Sequence, residues 1–418
     1  MVAKINMALR IAVCFASVPL CVFLLFLPGN VFTVAPEPAP LETETETEPT
    51  ITQSATEPET NPETTEIATT ETETEPETET ETETETTEMA TTETEPETER
   101  ETEIIFEEVK QPPKYATSTD LREITFLAVG DTTLASESRK GYSGSFFEYY
   151  DLYGPGYFME NIAPIFKSGD CVVANLECAL TDNTDPRIKR KAQYNYRGYT
   201  KYTDILTEGG IDVVNLSNNH TYDYSQTGYD DTVAALEAAG VGYFGNGTVL
   251  IREINGIKVG FVSSVGYGTS AIKAGLDYME AGGVELKIVS FHWGNMDQRI
   301  ANSSQVASAR YAIDNGADLV LGHHPHVLQG IELYKGRYIA YSLGNFIFDG
   351  NVISDIENRT SVVLQVKFVL RGAEIAECGI ELIPILTTSN FSRNNFRPML
   401  AEGDQKKAIL DKIAARSR

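Results

Sequence analysis

The sequence predicts an α/β domain with one polar edge, and three observations carry that expectation. Five short apolar runs, each of strand length, end in a cluster of Asp, Glu, Asn or His. Helical patterns lie between them and stop at glycine, as helix ends do. All five histidines of the 418-residue chain fall inside three of those clusters. In α/β sheets ligands bind beyond the carboxyl ends of the strands, so such clusters converge on one edge.

The folded part is preceded by two segments of different character. Lys4 and Arg10 flank residues 11–27, an uncharged apolar or small stretch near the lower limit for spanning a bilayer. No small-x-small cleavage site follows it. Residues 1–30 are therefore expected to be an uncleaved, single-pass membrane anchor. Its basic end would lie in the cytoplasm and the rest of the chain outside. Residues 31–118 are a Thr-Glu repeat with interspersed Pro; between Glu37 and Glu108 there are 26 Glu against one Arg. Self-repulsion and the absence of buryable surface predict a disordered, extended stalk. Most of the formal net charge of −28 belongs to it, so the acidity says little about any active site.

From residue 119 to 418 the sequence reads as one domain. Ile124-Thr-Phe-Leu-Ala-Val129 is a buried strand ending in Gly130-Asp131. Cys171-Val-Val-Ala174 leads to Asn175-Leu-Glu177, and Ile211-Asp-Val-Val214 to Asn215-Leu-Ser-Asn-Asn-His220. Leu286-Lys-Ile-Val-Ser290 leads to Phe291-His-Trp-Gly294. Leu319-Val-Leu321 leads to Gly322-His-His-Pro-His326. Helices are predicted over 231–239, before Gly240, and over 305–315, before Gly316. A hairpin is expected over 361–385 around Arg371-Gly372, and a last helix over 405–415. The aromatic run from Tyr142 to Phe158 reads as core packing beneath a helix rather than as a cleft lining. Cys171, Cys178 and Cys378 have no tight spacing and read as core residues, with a Cys171–Cys178 bridge as the alternative.

Three histidines within four positions, directly after a buried strand, point to a metal site. Carboxylate, amide oxygen and imidazole suit one or two divalent ions of the Mn, Fe or Zn kind. With a bridging carboxylate, two such ions could activate water and stabilise an oxyanion. Thiolates are absent from the clusters, which argues against structural zinc or iron–sulfur. No Gly-x-x-x-x-Gly-Lys loop and no Gly-x-Ser-x-Gly elbow occur, so neither an ATP-driven motor nor a serine hydrolase is indicated.

The motifs Val129-Gly-Asp131, Ala174-Asn-Leu-Glu177, Asn215-Leu-Ser-Asn-Asn-His-Thr-Tyr-Asp223, His292-Trp-Gly294, Gly316 to Val327 and Tyr341-Ser-Leu-Gly-Asn-Phe-Ile-Phe-Asp349 occur in this order. Carrying them, residues 123–400 resemble the poly-γ-glutamate capsule biosynthesis (CapA) family, whose domain looks like a calcineurin-type metallophosphoesterase. The resemblance implies a four-layer α/β/β/α sandwich. It also implies metal ligation by Asp131, Glu177, Asn219, His292, His324 and His326. His220 would be the general acid or transition-state stabiliser, and Asp223 the partner that orients it. His323 corresponds less directly than His324-Pro-His326. Two positions depart from the pattern: Thr133 stands where metallophosphoesterases carry a His, and Met296 where the capsule family often has Glu.

The resemblance implies a role in synthesis, export, anchoring or trimming of an anionic capsule polymer, poly-γ-glutamate, beside other capsule-synthesis subunits and without nucleic acid. A non-catalytic polymer-binding scaffold and a general phosphoesterase are the alternatives. On the substrate side, Arg187, Lys189, Arg190 and Arg197 form a basic cluster that is either a solvated loop or an anion-binding rim. Asn345 is placed with them.

Overall fold

A computed structural model describes residues 121–350 and 355–418. The anchor and stalk expected over 1–118 lie outside those residues. Among the described residues, no helix is long and apolar enough to cross a membrane.

Two sheets carry the domain. The larger contains β1 (Leu121–Thr132), β3 (Cys171–Leu176), β6 (Val213–Asn215), β7 (Gly242–Phe244), β14 (Asn345–Ile347), β15 (Thr360–Arg371), β16 (Glu374–Leu386) and β17 (Met399–Leu400). Its order is β17-β16-β15-β1-β3-β6-β7, with β14 pairing along the end of β1. The second sheet contains β8 (Leu250–Ile254), β9 (Ile257–Val265), β10 (Leu286–His292), β11 (Leu319–His323), β12 (Ile331–Tyr334) and β13 (Arg337–Ala340), in the order β12-β13-β11-β10-β9-β8. A small third sheet joins β2 (Ser136–Glu137), β5 (Tyr196–Gly198) and β4 (Ala179–Leu180). The helices are α1 (Phe146–Tyr153), α2 (Ala163–Phe166), α3 (Thr203–Gly209), α4 (Ser225–Ala239), α5 (Ser270–Ala281), α6 (Ser303–Asp314) and α7 (Gly403–Arg416).

Successive side chains of a strand point to opposite faces, and both faces are buried here. In β1, Ile124, Phe126 and Ala128 enter the core between the sheets, where Val259, Phe261, Ile288 and Leu321 of the second sheet meet them. Leu127 and Val129 face the other way, against Phe146, Phe166, Leu206 and Leu236 from α1, α2, α3 and α4. In the second sheet Val262, Val289 and Val320 pack on Leu276 and Met279 of α5 and Ala309 and Ala312 of α6. Three cores thus separate four layers, helices, sheet, sheet, helices. Each fully buried Leu, Val or Phe contributes about 1.5–3 kcal/mol, and these cores hold dozens of them.

All five expected strands are present, and the 361–385 hairpin is β15–β16. Helix α4 begins at Ser225 rather than at 231, because its first turn is polar and lacks apolar periodicity. Within the aromatic run Phe146, Tyr149 and Phe158 are core, with Phe146 stacked on Phe158 at 4.3 Å between ring centroids, whereas Tyr142 and Tyr153 are exposed. Cys171, Cys178 and Cys378 are buried and unbridged.

Candidate metal centre

The polar clusters meet because the strands end in register. Asp131 pairs with Asn175, Asn175 with Asn215, and Asn345 of β14 flanks Asp131 on its other side. One row of polar positions therefore crosses the end of the larger sheet. In the second sheet His292, ending β10, pairs with His323, ending β11. The two rows face each other: Asn175 Nδ2 lies 3.3 Å from His292 Nδ1, and His323 Nδ1 lies 3.5 Å from Asp131 Oδ1.

Two glycines permit this approach. A Cβ on Gly130 would lie 1.9 Å from the Gly344 carbonyl oxygen, and one on Gly322 would lie 2.0 Å from that of Tyr341. Segment 341–344 thus presses against both strand ends just before their ligands. Beyond β11 the chain turns sharply, with His324 at φ 95° and His326 at φ 58° around Pro325. Left-handed backbone at two non-glycine residues costs on the order of 1–2 kcal/mol each, and strain of this kind clusters at functional sites.

An amide chain orients the first carboxylate. Asn215 Nδ2 donates to Asn175 Oδ1 at 2.9 Å, and Asn175 Nδ2 donates to Asp131 Oδ1 at 2.9 Å. Asn218 holds the next turn: its Oδ1 accepts from the His220 N–H and its Nδ2 donates to the Leu176 carbonyl. Asn219 Oδ1 is then 2.6 Å from His292 Nε2, which is itself 3.1 Å from His324 Nδ1 and 3.5 Å from Glu177 Oε1. His326 Nδ1 sits 3.2 Å from Asp131 Oδ2 and 2.9 Å from Asn345 Oδ1.

Glu177 is fully buried, and neither of its carboxylate oxygens has a hydrogen-bond partner among the described residues. A buried carboxylate without partners is costly unless a cation meets it. It belongs to two groups whose ligand atoms lie within 4.8 Å of one another, Glu177–His324–His326 and Asp131–Glu177–His292. Each could hold a metal ion, and the shared Glu177 is where a bridging carboxylate would sit. The donors are oxygen and imidazole nitrogen, as the divalent ions expected here prefer. All six residues assigned as ligands are thus brought together. His323 is buried beside Asp131 but belongs to neither group. Thr133 is buried and donates its hydroxyl to the Glu177 carbonyl at 3.3 Å, tying the two strand ends.

Beside the centre opens a cleft of about 370 Å³, lined by His220, Asn219, Asp223 and His326 among others. His220 Nδ1 lies 2.7 Å from Asp223 Oδ2, which also accepts the Tyr196 N–H at 2.7 Å. Of the basic cluster only Arg190 lines the cleft. Arg187 pairs with Asp185 on the surface, Lys189 donates to Ser138, and Arg197 donates to the Thr181 carbonyl beside Tyr199. Asn345 is buried beneath His326, holding that ring. Met296 is exposed at the cleft mouth. Asn175, Asn215 and Asn345 as ligand-orienting residues, and Tyr196 and Phe348 as cleft walls, were not distinguishable as such by residue type alone. Their strand-end register is the signal that places them.

Burial raises the Glu177 carboxyl well above the usual range, and the neighbouring Asp131 charge raises it further. Burial would also raise Asp131, but the adjacent His323 and His326 imidazoles outweigh it and hold that carboxyl well below the usual range. Burial holds His292 well below the usual imidazole range and brings His324 down to about 4, so both are neutral, as ligands must be. For His326 burial opposes charge, but Glu177 and Asp131 prevail and push it up to about 9. Its stabilising effect on the metal-free fold is complete below the unfolded-state value near 6.5 and is lost as pH rises through about 9. At pH 7 uptake of a metal by His326 would therefore expel its proton. Calorimetric titration in buffers of different ionisation enthalpy should report about one proton released per chain. A binding enthalpy independent of the buffer would contradict this protonation pattern.

Comparison with known proteins places this geometry. The family model "Bacterial capsule synthesis protein PGA_cap" matches residues 125–350, just over half the chain and every residue of the centre. The chain is 30% identical over 256 residues to "Capsule biosynthesis protein CapA" of Bacillus anthracis, covering 54% of this chain and 60% of that protein. It is 30% identical over 220 residues to "PGA biosynthesis protein CapA" of Bacillus subtilis (strain 168), covering 47% and 58%. The matched region thus spans less than two thirds of either relative. Among solved structures, the TT1561 protein of Thermus thermophilus aligns with a TM-score of 0.36 at 13% identity over 61% of this chain and 98% of that one, too distant to carry an argument. With its matching motifs meeting at one centre, the chain belongs to the bacterial capsule synthesis protein PGA_cap family.

Proposed function

We propose that the domain is a metal-dependent hydrolase of the metallophosphoesterase type, acting outside the cytoplasm on an anionic capsule polymer, poly-γ-glutamate. The observation that carries this is Glu177, a buried carboxylate without hydrogen-bond partners at the vertex of two candidate ligand groups. The names of the Bacillus relatives support the polymer, and the anchor read over 1–30 supports the location. Synthesis, export, anchoring or trimming of the chain, beside other capsule-synthesis subunits, is the corresponding role.

Asp131, Glu177, Asn219, His292, His324 and His326 would hold one or two divalent ions. When bound, these supply Lewis-acid polarisation of a substrate oxygen and acidify water. Asp223 accepts the Nδ1 proton of His220 and fixes its tautomer, leaving Nε2 to exchange a proton with the leaving group. The edge of the Tyr196 ring, with centroids 4.7 Å apart, keeps the imidazole from rotating. Thr133 favours a second reading, a polymer-binding scaffold, since a hydroxyl turned to the backbone stands where metallophosphoesterases carry an imidazole.

Metal analysis of the purified full chain, with hydrolysis assays on a phosphodiester and on poly-γ-glutamate, tests the proposal. Bound Mn, Fe or Zn with cleavage of either substrate is expected. Absence of bound divalent metal under saturating conditions overturns it, and metal without cleavage leaves the scaffold.

A further inference from the structure

The cleft beside His220 has a chemistry of its own. Its walls are largely aromatic or apolar: Tyr194, Tyr196, Phe348 and Met296. Phe348 stacks on His326 with centroids 4.5 Å apart and leans on Tyr196 at 5.5 Å, so the wall is continuous with the metal centre. Among the described residues, Arg190 is the one Lys or Arg that lines this space. Its backbone N–H is pinned to the Asp223 carbonyl at 2.8 Å, and its Nη1 donates to the Asn219 carbonyl at 3.3 Å. Among the described residues its guanidinium has no carboxylate partner, whereas Arg187 and Arg139 at the same face are engaged by Asp185 and Glu137.

Arg190 is therefore anchored to the two residues that flank the chemistry, Asn219 and Asp223, with donors left to offer. A guanidinium pairs with a planar carboxylate through two parallel hydrogen bonds. The metal centre would itself hold the oxygen of the reacting bond. A second positive point in the adjoining cleft suits a substrate that carries another anion next to that bond. A simple phosphodiester has none; an acidic peptide-like chain has a pendant carboxylate at every unit. The apolar walls suit the methylene groups that join such units.

We infer that Arg190 is the specificity-determining residue of the cleft, binding the pendant carboxylate of an acidic amide-linked chain beside the reacting carbonyl. This rests on the proposed placement of the site, but it does not require that the site cleave anything. The test is equilibrium binding to the metal-loaded full chain, using two probes. One is a γ-linked glutamyl pentamer with free α-carboxylates; the other is the same pentamer with α-carboxamides. The acidic probe should bind more tightly, and Arg190→Gln should weaken it by ~10-fold while the neutral probe is unaffected. Arg190→Lys should restore part of the loss, since the charge remains and the bidentate geometry does not. Inorganic phosphate, as a third arm, should bind wild type and Arg190→Gln alike, because it would sit at the centre. Equal binding of the two pentamers by wild type, or an equal loss of both in Arg190→Gln, overturns the inference. If only phosphate binding depends on Arg190, the residue serves a phosphate and the inference also fails. Carboxylate-selective binding without turnover would sink the hydrolase and leave Arg190 in its role.

Discussion

Replacing Glu177 with Ala is expected to abolish tight metal binding and activity together without weakening the metal-free fold. A buried carboxylate with no hydrogen-bond partner carries a desolvation cost that its attraction to the protonated His326 only partly offsets. Its raised carboxyl range means that the metal-free fold loses stability as pH climbs above the ordinary carboxylate range. Removing the group removes that loss, offset by a small cavity. Wild type, in contrast, should gain about 2.7 kcal/mol from a divalent ion at a hundred times its dissociation constant. Because Glu177 is common to both candidate ligand groups, one substitution should disable both. Metal affinity should drop by at least ~10²-fold, more than the 10–100-fold typical of losing an outer-shell partner. Thermal denaturation with and without Mn or Zn reads this directly. A variant that is still strongly stabilised by the ion, or one that is unfolded without it, would remove Glu177 from the centre.

The polar clusters that meet at the centre were legible because strand-end chemistry is local in sequence, whereas the choice of ligands among them came from the resemblance. Asp131, Glu177, His292 and the His324-Pro-His326 turn each follow a short apolar run, and a buried parallel strand needs nothing more to be visible. The pairing register was not legible. Nothing in the sequence says that Asp131, Asn175, Asn215 and Asn345 align across four strands, so Asn175 and Asn345 look no different from turn asparagines. Nor does composition show that Arg190 faces the cleft while Arg187 is taken by Asp185. Both follow from tertiary geometry. The β8–β9 hairpin carried a readable signal, the Asn255-Gly256 pair, whose residues take φ 52° and 71° as a tight hairpin turn requires. Short strands such as β7 and β14 carried none, because three residues cannot display a period. Gly130 and Gly322 are a further case. Each reads as an ordinary strand end, and only the carbonyl oxygens packed against them show why no larger residue fits.

His220→Ala should separate catalysis from metal retention, with turnover falling by ~10²–10⁴-fold while bound metal is largely kept. His220 is absent from both ligand groups, lines the cleft and is held through Nδ1 by Asp223. Its loss removes a proton donor without touching a ligand. Asp223→Asn is a harsher structural test than it looks, because Asp223 Oδ2 also accepts the Tyr196 N–H and so holds the cleft wall. Both bonds fall on that one oxygen, so an amide must either put its weaker neutral acceptor there or turn its nitrogen there and present a donor to both groups, which favours the wrong imidazole tautomer. The two variants should therefore differ: His220→Ala lowers kcat with KM little changed, and Asp223→Asn lowers kcat and disturbs KM as well. Equal turnover in His220→Ala and wild type would place the proton transfer on another group. Coordinate loss of metal and activity in His220→Ala would instead make His220 part of the ligand shell, with Asp223 as the partner that orients it toward the ion.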